Sequence, residues 1–172
     1  MRAKVSVVVF FLVFLLVLWL LWGATRSGYT RLELTEAGTG KKILSALLRD
    51  DEQVVLTWKN SLFGLDVTEV FQAKSGTLLL TQVTFADPRG SEPPNVKPED
   101  VNDFYQTGEP FRAEGLSRPF TRILFRVGEI GNPKLKIGKE LVELAQQVGF
   151  GGAVLLLARK PRFFSNPLKV FG

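Results

Sequence analysis

The residues with most chemical promise lie in one stretch, Trp58-Lys59-Asn60-Ser61-Leu62-Phe63-Gly64-Leu65-Asp66-Val67-Thr68-Glu69-Val70-Phe71. Alternation before it puts Val54, Leu56 and Trp58 on one face of a strand, and Val67, Glu69 and Phe71 share a face of the strand that returns. With the loop centred near Phe63-Gly64, Asn60 is expected opposite Val67 and Trp58 opposite Glu69. An amide, an indole N–H and a carboxylate then meet on the inner side. A carboxylate there must find donors or stay protonated, because burying its charge alone is costly. Two roles are open: Glu69 fixes the register by accepting from Trp58 or a backbone N–H, or it touches a ligand. On the second, Trp58, Asn60, Ser61 and Glu69 form the candidate ligand- or partner-binding set. A slip of one residue would turn Glu69 to the surface.

Other chemistry finds little support. The chain has no histidine and no cysteine, which removes the commonest general base, the commonest zinc ligand, the thiol nucleophile and any disulfide. Ser61 lacks the Gly-x-Ser-x-Gly setting of an acyl-transfer nucleophile. The pairs Asp50-Asp51 and Asp100/Asp103 sit in turn-like, solvated segments, poor places for a glycosidase dyad or a calcium loop. Gly149, Gly151 and Gly152 are not followed by the Lys-Ser/Thr of a phosphate-binding loop, so they read as a tight bend. No catalytic residue, metal ligand or cofactor is expected. A hydrolase working through carboxylates ranks third among the functional expectations.

The hairpin resembles a family of small bacterial proteins, the domain-of-unknown-function family numbered 1850. Its members carry a strand with an aromatic, then His-Ser, a short loop, and a returning strand of the form x-Glu-x-Phe. The similarity continues through Phe111-Arg112-Ala113-Glu114-Gly115, Arg126-Val127-Gly128 and Leu135-Lys136-Ile137-Gly138, ending near Ala158. Asn60 stands where the family usually has histidine, and Phe85-Ala86-Asp87-Pro88-Arg89-Gly90 lacks the Gly-Ala-Gly expected after the third strand. The resemblance implies an exported or membrane-anchored accessory protein, often linked to tripartite ATP-independent periplasmic transporters of the TAXI type. It implies no mechanism.

The elements that must position the hairpin are short strands. Two-residue periodicity marks Tyr29 to Thr35, with Thr30, Leu32 and Leu34 on the greasier face, and Thr77 to Phe85, with Leu78, Leu80, Gln82 and Thr84 together. Lys42 to Leu48 is ambiguous between strand and helix. The strands from Gln53, Val67 and Thr77 should meander consecutively. Asp87 to Asp100 holds four prolines, which should exclude any ladder, and Pro98 to Tyr105 suits a turn or two of helix. Phe111-Arg112-Ala113 and Thr121 to Val127 read as strands separated by Glu114 to Pro119. Leu135 to Leu144 reads as a late hairpin, and Ala153 to Ala158 as a strand buried on both faces. The expected fold is all-β, an antiparallel β-sandwich or partly open barrel of about eight strands, preceded by one N-terminal transmembrane helix.

That helix is Val5 to Trp22, eighteen residues without a charge. At the α-helical rise it reaches ~27 Å, close to the ~30 Å hydrocarbon core of a bilayer. Val5, Phe10, Leu15, Trp19 and Trp22 mark its course. The tryptophans suit the membrane interface, and cleavage after Ala24 would put Trp22 where a small residue belongs, so a retained signal anchor is expected rather than a cleaved signal. Arg2 and Lys4 against Arg26 and Arg31 lean toward an inside N-terminus. The division is an anchor over 1–26, an extracytoplasmic β-domain over 27–161, and a basic, aromatic tail over 162–172. The formal charge is +5, with no basic run interleaved with aromatics in the body, so no nucleic-acid partner is expected. These features together lead to an accessory or binding protein with the membrane, and a transporter subunit or small solute, as partners. The alternative is a structural β-module of an envelope assembly.

Overall fold

Alternating side chains are realised as eleven strands among the described residues. The computed structural model describes residues 10–19 and 28–161. In chain order these hold a helical segment over 10–19 (α1), then β1 (Tyr29–Glu36), β2 (Lys42–Arg49), β3 (Gln53–Lys59), β4 (Asp66–Lys74), β5 (Thr77–Ala86), β6 (Asn95–Val96), α2 (Val101–Thr107), β7 (Phe111–Phe120), β8 (Arg122–Arg126), β9 (Lys134–Ile137), β10 (Glu140–Glu143), α3 (Leu144–Val148) and β11 (Ala153–Arg159). A four-stranded sheet runs β2-β1-β11-β8 and a seven-stranded sheet β10-β9-β3-β4-β5-β7-β6. The two share no ladder and pack face to face, β1 and β2 across from β4 and β11 across from β5. The fold is therefore all-β and sandwich-like.

The core is built from one face of each sheet. Leu32 and Leu34 of β1 stand in register with Ala158 and Leu156 of β11, and Val54, Val67 and Val83 line the facing sheet, each essentially without solvent exposure. Each such aliphatic side chain contributes about 1.5–3 kcal/mol by leaving water. The second sheet is wider than the first, and α2 covers part of the excess: Phe104 and Tyr105 pack onto Phe111 and Phe85.

Several expectations need correction. Among the described residues there are eleven strands, not about eight, because Lys42 to Leu48 is a strand and the proline-rich segment is not free of ladders. Asn95 and Val96 pair in parallel with Arg112 and Ala113 at the sheet edge, where prolines at 93, 94 and 98 flank the bonded pair without interrupting it. Glu114 to Pro119 does not separate two strands; it continues β7 through a bulge. A register shift between Leu80 and Gln82 also flips the phase of β5, so Val83 and Phe85 point inward with Leu78 and Leu80, and Gln82 and Thr84 do not. The late hairpin ends at Glu143, where α3 begins. β11 is buried on one face, with Leu155 and Leu157 half-buried on the other.

In the hairpin, Trp58 pairs with Val67 and Leu56 with Glu69, two residues from the expected partners. The cause is the loop. Asn60 N–H donates to the Leu65 carbonyl, so the turn is centred one residue earlier than Phe63-Gly64. A shift of two preserves the faces, and Trp58 and Glu69 remain on the inner side. Among the described residues no helix is long and apolar enough to cross a membrane. Of the anchor positions, Phe10, Leu15 and Trp19 belong to α1, whereas Val5, Trp22 and the tail over 162–172 lie outside the described residues.

Candidate functional site

The β3–β4 turn is held by its own asparagine. The Asn60 Oδ1 accepts from the backbone N–H groups of Leu62 at 2.9 Å and Phe63 at 3.1 Å, and the Gly64 N–H donates to the Asn60 carbonyl. Asparagine favours such turns because its short side chain imitates a backbone carbonyl. The loop then leans on α2: a Cβ on Gly108, the left-handed C-cap of that helix at φ 73°, would collide with the Phe63 ring. Asn60 thus shapes the loop, with its amide oxygen already accepting two backbone N–H groups. Ser61 is exposed and has no hydrogen-bond partner among the described residues.

Trp58 and Glu69 do come together, on adjacent rows of the inner face. One row crosses the sheet as Trp58, Val67, Phe85 and Phe111, the next as Leu56, Glu69, Val83 and Ala113. Trp58 meets Phe85 edge-on at 6.1 Å, Phe85 stacks on Phe111 at 5.0 Å, and Tyr105 from α2 sets its edge against both. Such pairs contribute about 0.5–1.5 kcal/mol each beyond the area they bury. The carboxylate therefore lies beside an aromatic wall roofed by α2.

Electrostatics separate this carboxylate from the chain's other acids. Burial alone pushes the Glu69 carboxyl up to about 7, with no ion pair or hydrogen bond opposing it among the described residues. Burial, then the nearby Glu69 charge, pushes the Tyr105 hydroxyl up to about 12, and Arg118 acts against both. Arg118 itself is held by a hydrogen bond to the Asn102 Oδ1 of α2 at 3.2 Å. Glu33, by contrast, is compensated. Burial raises it, but the Arg159 hydrogen bond and the charges of Arg159, Lys42 and Arg31 bring it below its ordinary value. On exposed Glu143 the Lys134 ammonium, 2.8 Å away, likewise lowers the pKa.

A half-buried acid that titrates near neutrality can accept from an amine or hydroxyl, or donate when protonated, while flat rings hold apolar surface beside it. It has no paired carboxylate: its ladder neighbours are Leu56 and Val83. Among the described residues no group of three or more acidic side chains could hold a metal ion. A separate cleft of about 400 Å³, lined by Ile43, Leu44, Glu140, Val142, Gln146 and Gln147 among others, opens between the edge strands β2 and β10. It does not include Glu69; of its two acids Glu143 is paired with Lys134 and Glu140 is exposed to solvent, so the inward, unpaired carboxylate of Glu69 is the stronger candidate.

The hairpin alone does not reveal Tyr105, Phe85 and Arg118, which complete this site. Periodicity placed Phe85 on the wrong face because the β5 bulge is invisible to it, and nothing local says which sheet a helix of seven residues will roof. No family model matches the chain, and neither a curated protein nor a solved structure matches it. The likeness to the domain-of-unknown-function family numbered 1850 accordingly rests on the residues quoted for it alone.

Proposed function

We propose that this chain is a membrane-tethered, non-enzymatic binding module whose β-domain stands outside the cytoplasmic membrane and takes a small solute, or a component of a tripartite transporter, against Glu69. The observation that carries this is the carboxylate without a counter-charge beside Trp58, Phe85 and Tyr105. A purely structural glutamate is ordinarily given counter-charges, as Glu33 is given Arg31 and Arg159. Support for the tether comes from the uncharged run at Val5 to Trp22, and from α1, whose side chains from Phe10 to Trp19 are 45–75% exposed and thus without protein cover. The transporter association comes from the family resemblance.

Trp58 supplies the test, because the other two tryptophans, Trp19 and Trp22, can be replaced by phenylalanine to leave one reporter. A panel of amines, polyols and carboxylic acids is titrated into the full chain in nanodiscs. A compound that shifts Trp58 emission in the wild type and not in Glu69→Ala supports the site. No response across the panel, together with crosslinking partners in intact membranes unchanged by Glu69→Ala, would remove it. The structural-module alternative draws on β6, which fastens the proline-rich segment along the edge of the wide sheet. On that reading, deleting 89–97 abolishes partner association and leaves the Trp58 response intact.

A further inference from the structure

The outer face of the four-stranded sheet collects charge that the linear sequence scatters. The ladders put Arg31, Lys42, Arg49, Arg122, Arg126 and Arg159 on that one face. Of the chain's seventeen acidic residues, these four strands carry only Glu33 and Glu36, and Glu36 pairs with Val154 on the other face. Glu33 is also fully engaged: Arg159 Nη2 lies 2.5 Å from one carboxylate oxygen, and Arg31 Nε at 3.1 Å and Lys42 Nζ at 3.8 Å approach the other. Arg49, Arg122 and Arg126 form no ion pair among the described residues and are exposed. Between the cations run leucines: Leu47 is 51% and Leu124 56% exposed, and Leu155 and Leu157 are half-buried. The face is cationic, with its two most exposed leucines on the edge strands β2 and β8 and the half-buried Leu155 and Leu157 on the central strand β11.

We propose that this face docks on an anionic lipid surface. Exposed arginines interspersed with exposed leucines match what lipid headgroups over acyl chains offer. A second copy of the chain is opposed by like charge on both partners. The tether also favours lipid, since β1, a central strand of this very sheet, begins seven residues after Trp22 and holds the face beside the bilayer. Docking the face would turn the Glu69 side of the sandwich, on the other sheet, to a fixed orientation above the membrane.

The proposal rests on the tether, and two measurements separate their fates. In the first, the absence of cysteine allows single thiol labels, Leu124→Cys on the face and Thr68→Cys on the outer side of the other sheet. The full chain is placed in phosphatidylcholine nanodiscs with and without phosphatidylglycerol, and quenching by a headgroup-attached spin label is read. Quenching at position 124 should exceed that at 68 only with phosphatidylglycerol, and should fall at high salt. Arg122→Gln with Arg126→Gln should lower the docked-to-free ratio about fivefold for each side chain. Equal quenching at both positions, or quenching at 124 indifferent to salt and to the two glutamines, overturns the proposal and leaves an acidic protein as the occupant to seek. In the second, carbonate extraction decides the tether alone. If carbonate releases the chain, the tether fails, and salt-sensitive sedimentation with phosphatidylglycerol vesicles, weakened by the two glutamines, still upholds the face; no sedimentation overturns it.

Discussion

Replacing Glu69 by glutamine should stabilise the protein above neutrality and leave it nearly unchanged in mild acid. The carboxyl titrates at about 7 when folded against an ordinary 4.5, so between those values the folded chain binds the proton more tightly than the unfolded one. Stability from this group is therefore intact below the unfolded value and falls as the pH rises toward the folded one. The difference corresponds to a ceiling of about 3 kcal/mol, and to about 2 kcal/mol once partial exposure is allowed for. Glutamine keeps the shape without the charge. Because the chain has no histidine or cysteine, no other side chain has an ordinary pKa between about 5 and 8, and the α-amino group cancels between the variants. Urea unfolding of both proteins, followed by circular dichroism at a series of pH values, should show curves that converge near pH 5 and diverge by about 2 kcal/mol near pH 8. Parallel curves across that window would refute an uncompensated Glu69.

Gly108→Ala should cost about 1–3 kcal/mol in denaturant unfolding, since its backbone is left-handed and the Phe63 ring occupies the Cβ position; adding Phe63→Ala should recover the steric part only. Asn60→Ala should cost about 1–2 kcal/mol by freeing two loop N–H groups, with Asn60→Asp retaining most of it, while the Trp58 response to a bound compound stays unchanged. Glu33→Gln should destabilise at neutral pH and progressively less in acid, because a lowered carboxyl contributes stability above its unfolded value and loses it as the pH falls through the folded one; a cost constant with pH would contradict the Arg31, Lys42 and Arg159 cluster.

Legibility in the sequence followed the range of the interactions. Faces were readable wherever a strand kept its two-residue period, as in Val54-Leu56-Trp58 and Thr30-Leu32-Leu34, because burial on one side of a pleat imposes the pattern directly. They failed at Leu80 to Gln82, where one bulge reverses the phase. Trp58 and Glu69 were placed on the right side even with the wrong partners, since parity survives a shift of two. Tyr105 and Arg118 were not, because a seven-residue helix carries no mark of the sheet it will roof. The cationic face was hidden for a similar reason: Arg31 and Arg159 are neighbours only through the ladder.

That ladder has a consequence for how the chain acquires its structure. β3, β4 and β5 are consecutive and can pair as soon as they exist, but β1 needs β11, and Leu32 finds Ala158 across almost the whole length of the domain. Contacts so distant close slowly, and only after the last strand has been synthesised. Until then β1 and β2 can pair only with each other within their sheet, and Leu32 and Leu34 lack their ladder partners on β11. A ribosome pausing before residue 153 would release a meander that is complete and a first hairpin that is not, and the unfinished pair is where misassembly would begin.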